Sequence, residues 1–469
     1  MKKVIFLFFI TAFIFSCSLG EFSNNGTLVV KLPGSSSGRS TISSETADVI
    51  TFGIDCARGG KIEKSEKDLR EGQTVSISLA EGNWTITITA YNTGESIGST
   101  VSKATILAGR MTSVPITLKL NTFLIRTEED LRRVGTEDVG WTLGANYKMV
   151  DDIDLGNNSF NNWTDPIGPS DTNPFTGTFD GNGFKISHLK IDNSGNNQGL
   201  FGYIGVGGTV KNLGLEGVEI NVNGDKIGSI AGYNKGEILN CYVTGMINGT
   251  DAVGGVAGES TGAIRRCYSE AIVIGFRNLG GIVGANQVEG SLIGKVENCY
   301  TTGDIEFIGV ATLSTAQSFG GIAGYNAGRI EYCYATGKVE GPRNVGGIVG
   351  HNANGTVQNC VALNSSIVRS SNSTDTYFER VIGNSSGTVP NNYARNSLNI
   401  AFVTNSASVQ GTTTNDWDSA DWWRTAPPGR WSVTGAWKPD SWNFNNVGSG
   451  NLPTLIMPGN PTQNPVVQQ

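Results

Sequence analysis

The chain has 469 residues, room for two or three domains, and its 64 glycines, 38% hydrophobic and 16% charged residues make it glycine-rich and charge-poor. A net charge of −7 without a basic cluster argues against a nucleic-acid partner. With two histidines, His188 and His351, and no HExxH, CxxC or close His/Cys pair, the sequence offers no zinc motif and calls for no cofactor.

Residues 1–17, MKKVIFLFFITAFIFSC, carry two lysines, an apolar core and a small residue before cysteine, which reads as an export signal. The ending IFSC resembles the lipobox of bacterial lipoproteins. That resemblance implies acylation of Cys17, attachment to a membrane through the lipid, and, with Ser18 following, delivery to the outer membrane. Residues 18–25 read as a tether. From 26 to 120, segments such as GTLVVKL, TVSISL and WTITITAYN alternate apolar and polar residues between turn clusters, the pattern of a small β-sandwich. Trp84 and Tyr91 are read as core there, with sugar binding as the alternative.

From residue 121 the text changes. TEEDLRRV offers Thr127 as N-cap of a short helix, with Asp130 three residues on. The phrases YKMVDDIDLG, PFTGTFDGNGFKISHLKI and GLFG follow. A repeated unit then runs over 199–395, with GSIAGYNKGEILNCYVTG from Gly228, GGVAGESTGAIRRCYSEA from Gly254 and GGIAGYNAGRIEYCYATG from Gly320. Gly228 to Gly254, Gly254 to Gly280 and Gly320 to Gly346 are each 26 residues, and glycine to cysteine is 13 in three copies. Such a unit cannot bury its apolar residues alone, whereas stacked copies share one core. Short Ile/Val segments broken by Gly and Asn fit strands and tight corners. The order of DIDL, FTGTFDGNG, GLFG and GGIVG…CYATG resembles bacterial surface proteins with GLUG repeats. That resemblance covers about 121–394 and implies a parallel β-helix, here of about seven coils, opened by a cap over 121–198. The fold expected is therefore all-β: an N-terminal β-sandwich, then a parallel β-helix, then a tryptophan-rich end. GLUG repeats also accompany IgA-cleaving metallopeptidases, whose zinc motif is missing here.

Two insertions interrupt the period between Gly280 and Gly320, in ANQVEGSLIGK and EFIGVATLSTAQS, and a third falls near residues 365–378. Solenoid insertions map to corners, where binding often sits. Residues 396–457 hold Trp417, Trp422, Trp423, Trp431, Trp437 and Trp442, read as a cap over the open end of the solenoid; 458–469 read as disordered. Five cysteines, Cys241, Cys267, Cys299, Cys333 and Cys360, recur once per repeat, each followed by Tyr242, Tyr268, Tyr300, Tyr334 or Val361. Either the thiols or the rings must face inward. With cysteines inside, the four tyrosines form an outward column able to bind glycan or protein. Counting alternation from Ile330 gives the opposite parity, unless a bend intervenes. No carboxylate pair is kept on neighbouring repeats, and Asp152 and Asp154 of DDIDL are weak candidates for a cation. The reading is a lipid-anchored, non-catalytic adhesin or scaffold of the cell surface. A polysaccharide-degrading β-helix enzyme and a purely structural envelope protein are its alternatives.

Overall fold

The structure, a computed structural model, describes residues 25–32, 51–70, 72–92, 95–114, 119–120, 122–136, 141–156, 162–309, 317–370, 377–395, 399–401, 412–414, 419, 423, 441–447, 451–463 and 465–466. Two compact units divide the chain, residues 1–121 and 122–469.

In the first unit, five strands (Lys61–Arg70, Thr51–Arg58, Gly82–Asn92, Glu95–Ile106, Lys119–Leu120) form one antiparallel sheet. A second sheet sets Asn25–Lys31 between antiparallel Thr74–Ala80 and parallel Met111–Ser113. Alternate residues go inward, as the period of two dictates: Leu28, Val30, Ile77 and Leu79 from one sheet, Ile54, Ile86 and Ile88 from the other. Trp84 is buried, and its Nε1 donates to Ala80 O at 2.9 Å. The edge strand Lys61–Arg70 exposes every residue except Leu69. Its run of lysines and glutamates discourages pairing with another chain.

The second unit is a parallel solenoid of about eight turns. Thr127 caps its opening helix, Glu128–Arg133, its Oγ1 accepting from Asp130 N at 3.2 Å while Asp130 Oδ2 accepts from Arg126 N. Four sheets then run along the axis, of nine, sixteen, seven and six strands. Equivalent residues stack in register. In the nine-stranded sheet the inward column reads Phe123, Tyr147, Phe179, Val210, Ile238, Ile264, Val296, Ile330 and Val357. Another reads Ile191, Ile220, Ile247, Val273, Ile305, Val339 and Ile367. Burying one such side chain stabilises by about 1.5–3 kcal/mol, so each coil is held by its neighbours.

Two corner devices shape the coil. The leading glycine of each repeat sits where backbone meets backbone: a Cβ on Gly254 would stand 2.0 Å from Ala257 O. At the second corner one residue per coil has positive φ: Asn212, Asn240, Arg266, Asn298, Tyr332, Asn359 and Asn391, at 50° to 57°. This left-handed residue is the bend that reverses parity. Ile330 points inward, Tyr332 turns the corner, and Cys333 points inward again.

Candidate functional site

The five repeat cysteines are buried in the solenoid core and none is disulfide-bonded. Each thiol lies near the carbonyl two residues back, as Cys267 Sγ to Arg265 O at 3.2 Å. Burial pushes the thiols of Cys241, Cys267 and Cys333 well up, which leaves them protonated and unreactive. In the worn last copy Asn392 fills the cysteine slot. There its amide accepts from Cys360 N at 2.9 Å and donates to Val357 O at 2.8 Å.

Tyr242, Tyr268, Tyr300 and Tyr334 consequently point away from that core. Their rings stack at 5.1, 4.9 and 4.9 Å between centroids, within 7° of parallel. The expectation of an open aromatic face is nevertheless corrected. Tyr242 is 8% exposed and the others 1% or less. They share a cluster with Trp423, Trp442, Phe444, Leu452, Leu455 and Met457 of the C-terminal segment. Tyr334 Oη donates to Pro453 O at 2.7 Å, Tyr300 Oη to Gln463 Oε1 at 3.1 Å, and Trp442 Nε1 to Asn298 Oδ1 at 2.9 Å. Stacking also consumes the ring faces, so that only edges and hydroxyls point outward. A sugar platform needs faces.

The same contacts correct the reading of the tryptophan-rich end. Trp423 and Trp442 lie along the side of the solenoid over the tyrosines, where a cover for the open end was expected. Gln463, in the tail read as disordered, exchanges hydrogen bonds with Leu455. Trp417, Trp422, Trp431 and Trp437 lie outside the described residues, as do the signal segment and Cys17.

Ile153 and Leu155 are buried and Asp152 and Asp154 exposed, as a period of two requires. The two aspartates do not converge on a cation. Asp152 Oδ1 accepts from Lys185 N at 3.0 Å. Asp154 Oδ1 meets His188 Nδ1 at 2.7 Å and Gly156 N at 2.9 Å, contacts that hold its carboxyl below the usual range. Among the described residues no group of three or more His, Cys, Asp or Glu could hold a metal ion. On the nine-stranded sheet the charges neutralise one another: Arg265 bridges Glu237 at 2.5 Å and Glu297 at 2.8 Å on the strands to either side, and Arg329 pairs with Glu331 within its own strand.

Two features were missed by sequence reasoning. The first is a second outward column, on the seven-stranded sheet: Tyr203, Tyr233, Glu259, Ala285, Tyr325, His351 and Asn384. Its signal was the residue after the repeat's AG or VG, as in AGYN and VGHN. Tyr325 and His351 are half-buried, edge to face at 5.5 Å. The second is the form of the first insertion. Val288–Glu289 and Leu292–Ile293 pair antiparallel as a hairpin, turning at Gly290 with φ +60°. Glu289 reaches back two coils, where its carboxylate accepts from Tyr233 Oη at 2.9 Å and Lys235 Nζ at 2.8 Å. The Lys235 and Tyr233 bonds hold the Glu289 carboxyl below its ordinary range. Val288 and Ile293, directly opposite each other, remain 46% and 48% exposed. The second insertion lies mostly outside the described residues.

Comparison with known proteins follows the same lines. The GLUG motif family matches residues 315–340 and 341–368. Halomucin of Haloquadratum walsbyi is 37% identical over 114 residues, 23% of this chain and 1% of its own length. A protein of Evansella cellulosilytica provisionally described as a Gly-rich membrane protein is 38% identical over 136 residues, 27% of this chain and 15% of its own. The chain thus spans a small part of either relative. Among solved structures, a candidate immunoglobulin A1 protease of Bacteroides ovatus aligns with a TM-score of 0.42 at 21% identity, over 71% of this chain and 92% of that one. An IgA1 protease aligns with a TM-score of 0.39 at 13% identity, over 76% and 29% respectively. With its period, its glycine corners and its in-register cysteine column, this chain is a GLUG-repeat protein whose repeats wind into a parallel β-helix.

Proposed function

We propose that the chain is a non-catalytic, lipid-anchored protein of the cell surface, an adhesin or scaffold that offers a rigid β-helical face to a glycan or protein ligand. The observation that carries the reading is the braced hairpin at 288–293. Glu289 fixes it to Tyr233 and Lys235, while Val288 and Ile293 stand side by side in solvent. Paired exposed aliphatic residues on a rigid support are suited to contact, since little conformational entropy is lost on binding. Similarity to stretches of a halomucin and of a protein described as a Gly-rich membrane protein supports a place in the cell envelope. Anchorage would go through Cys17, in which case Cys17→Ala abolishes incorporation of labelled palmitate and releases the protein from the membrane fraction.

The test of ligand binding is an array of glycans and extracellular-matrix proteins probed with the full chain. Binding is expected at one or more positions, lost at least tenfold in Val288→Asp/Ile293→Asp with an unchanged melting temperature. A silent array, or binding that ignores the double substitution, overturns the reading.

A second reading, a polysaccharide-acting enzyme, is favoured by one observation. Glu216 and Glu270 lie near the low end of the tyrosine ladder and are pushed in opposite directions. Burial raises the Glu270 carboxyl; burial also acts on Glu216, but the hydrogen bonds from Lys185 and Tyr242 outweigh it and hold that carboxyl low. Opposed proton affinities are what an acid/base pair needs. Release of reducing ends from polysaccharides by the full chain, abolished in Glu270→Gln, would support this alternative; no release at any pH from 4 to 8 would remove it.

A further inference from the structure

In a solenoid each coil contacts only its neighbours, so coils can fray from an end or open one at a time. The C-terminal segment breaks that rule. Its upper part lies on the coils of Tyr300 and Tyr334, through Trp442, Pro453 and Leu455. Its lower part reaches Gly183: a Cβ on Gly183 would stand 2.7 Å from Gly459 N, and one on Gly459 2.3 Å from Gly183 O. Between them, the two ends span six consecutive strands of the nine-stranded sheet, from Thr178–Asp180 to Arg329–Glu331 inclusive.

The attachment is specific. Along the ladder Tyr300 Oη donates to Gln463 Oε1, Tyr334 Oη donates to the backbone carbonyl of Pro453, and Asn298 Oδ1 accepts from Trp442 Nε1. Its own backbone is folded on itself, Trp442–Asn443 against Thr454–Leu455, with Gln463 closing on Leu455 from both its amide atoms. Trp442 lies 6.3 Å from the Tyr300 ring and 5.7 Å from that of Tyr334, while Trp423 meets Tyr334 edge-on at 5.8 Å. At the far end both glycines have positive φ, +86° for Gly183 and +74° for Gly459, so the close approach depends on residues without a side chain. The tyrosine column is therefore a docking strip for a preshaped, aromatic-bearing segment of the same chain.

We propose that this segment is an axial clasp, which ties distant coils together so that the solenoid opens as one body. A protein that presents a ligand-binding face gains from this, because a pull on one coil is shared by six. The inference concerns mechanical coupling and holds whichever ligand the surface takes.

Hydrogen exchange measured by mass spectrometry on the full chain tests it through action at a distance. Trp442→Ala loosens the clasp at its upper end. Exchange in Thr178–Ser187, which Trp442 does not touch, should then quicken at least tenfold. Gly459→Val loosens the lower end, and exchange should quicken by a similar factor at Tyr300–Thr301 and Tyr334–Ala335. Were each substitution to quicken exchange only in the segment itself and the coil beside it, the segment would be a passive cover and the proposal would fail. Gly459→Val leaves every ring of the ladder in place, so it decides the matter even if Trp442→Ala destabilises the upper coils generally.

Discussion

Arg266 and Tyr332 stand at the corner where Asn212, Asn240, Asn298, Asn359 and Asn391 stand in other coils, all with φ near +50°. Asparagine tolerates the left-handed region because its short polar side chain can bond locally; arginine and tyrosine are strained there. Arg266→Asn is therefore expected to stabilise the protein by about 0.5–1 kcal/mol in denaturant unfolding. This one corner also explains why the direction of Cys and Tyr could not be read from alternation. A single left-handed residue reverses the parity of all that follows, and at Tyr332 the residue that bends is not one that advertises a bend. Small size and burial preference favoured the cysteines inward, and that argument, resting on side-chain chemistry, gave the correct direction. Proton affinity belongs to this scale too. The folded-state pKa of Glu270 lies above its unfolded value because burial disfavours the anion. Its protonated form suits the fold, so its contribution is fully present below the ordinary glutamate range and is lost as pH rises through the raised value. Glu270→Gln should consequently be more stable than the parent at pH 7, with the difference shrinking towards pH 4.

At the level of the coil, buried polar residues form hydrogen-bonded ladders. Asn286 Nδ2 donates to Asn326 Oδ1 and Asn326 Nδ2 to Asn352 Oδ1, both at 2.7 Å, and Asn352 continues to Ser385 Oγ at 3.1 Å. All three asparagines are fully buried. Asn326→Ala removes an acceptor and a donor from the middle of this chain and should cost about 2–4 kcal/mol, read as a lowered urea midpoint. The repeat made these positions legible as architecture: GYN, GAN and GHN recur at one register. What repetition hid was the meaning of its exceptions. The insertion after Asn286 was placed at a corner by its length alone, but its hairpin rests on an ion pair and a hydroxyl bond to residues 54 and 56 positions earlier. Nothing local in ANQVEGSLIGK announces Tyr233 or Lys235.

For the whole molecule, the solenoid was legible because its period imposes one answer on every copy, whereas the C-terminal segment has no period. Its tryptophans announced that something apolar needed covering; they carried no information on which surface. The tyrosine column and the tryptophan-rich end were each conspicuous in the sequence, and only long-range packing joins them, across more than a hundred residues between Tyr334 and Pro453. That union removed the most conspicuous candidate site, so the proposed ligand contact rests on the hairpin at 288–293, where Val288 and Ile293 stand exposed. One measurement joins the corner to the cell surface. The five repeat cysteines and Cys56 are buried, so Ile293→Cys introduces a single accessible thiol among the described residues. Intact cells making this variant should react with a membrane-impermeant maleimide, while cells making the parent chain should not. Labelling that appears only after the envelope is broken would contradict surface display, and no labelling of the purified, folded variant would contradict the exposed hairpin itself.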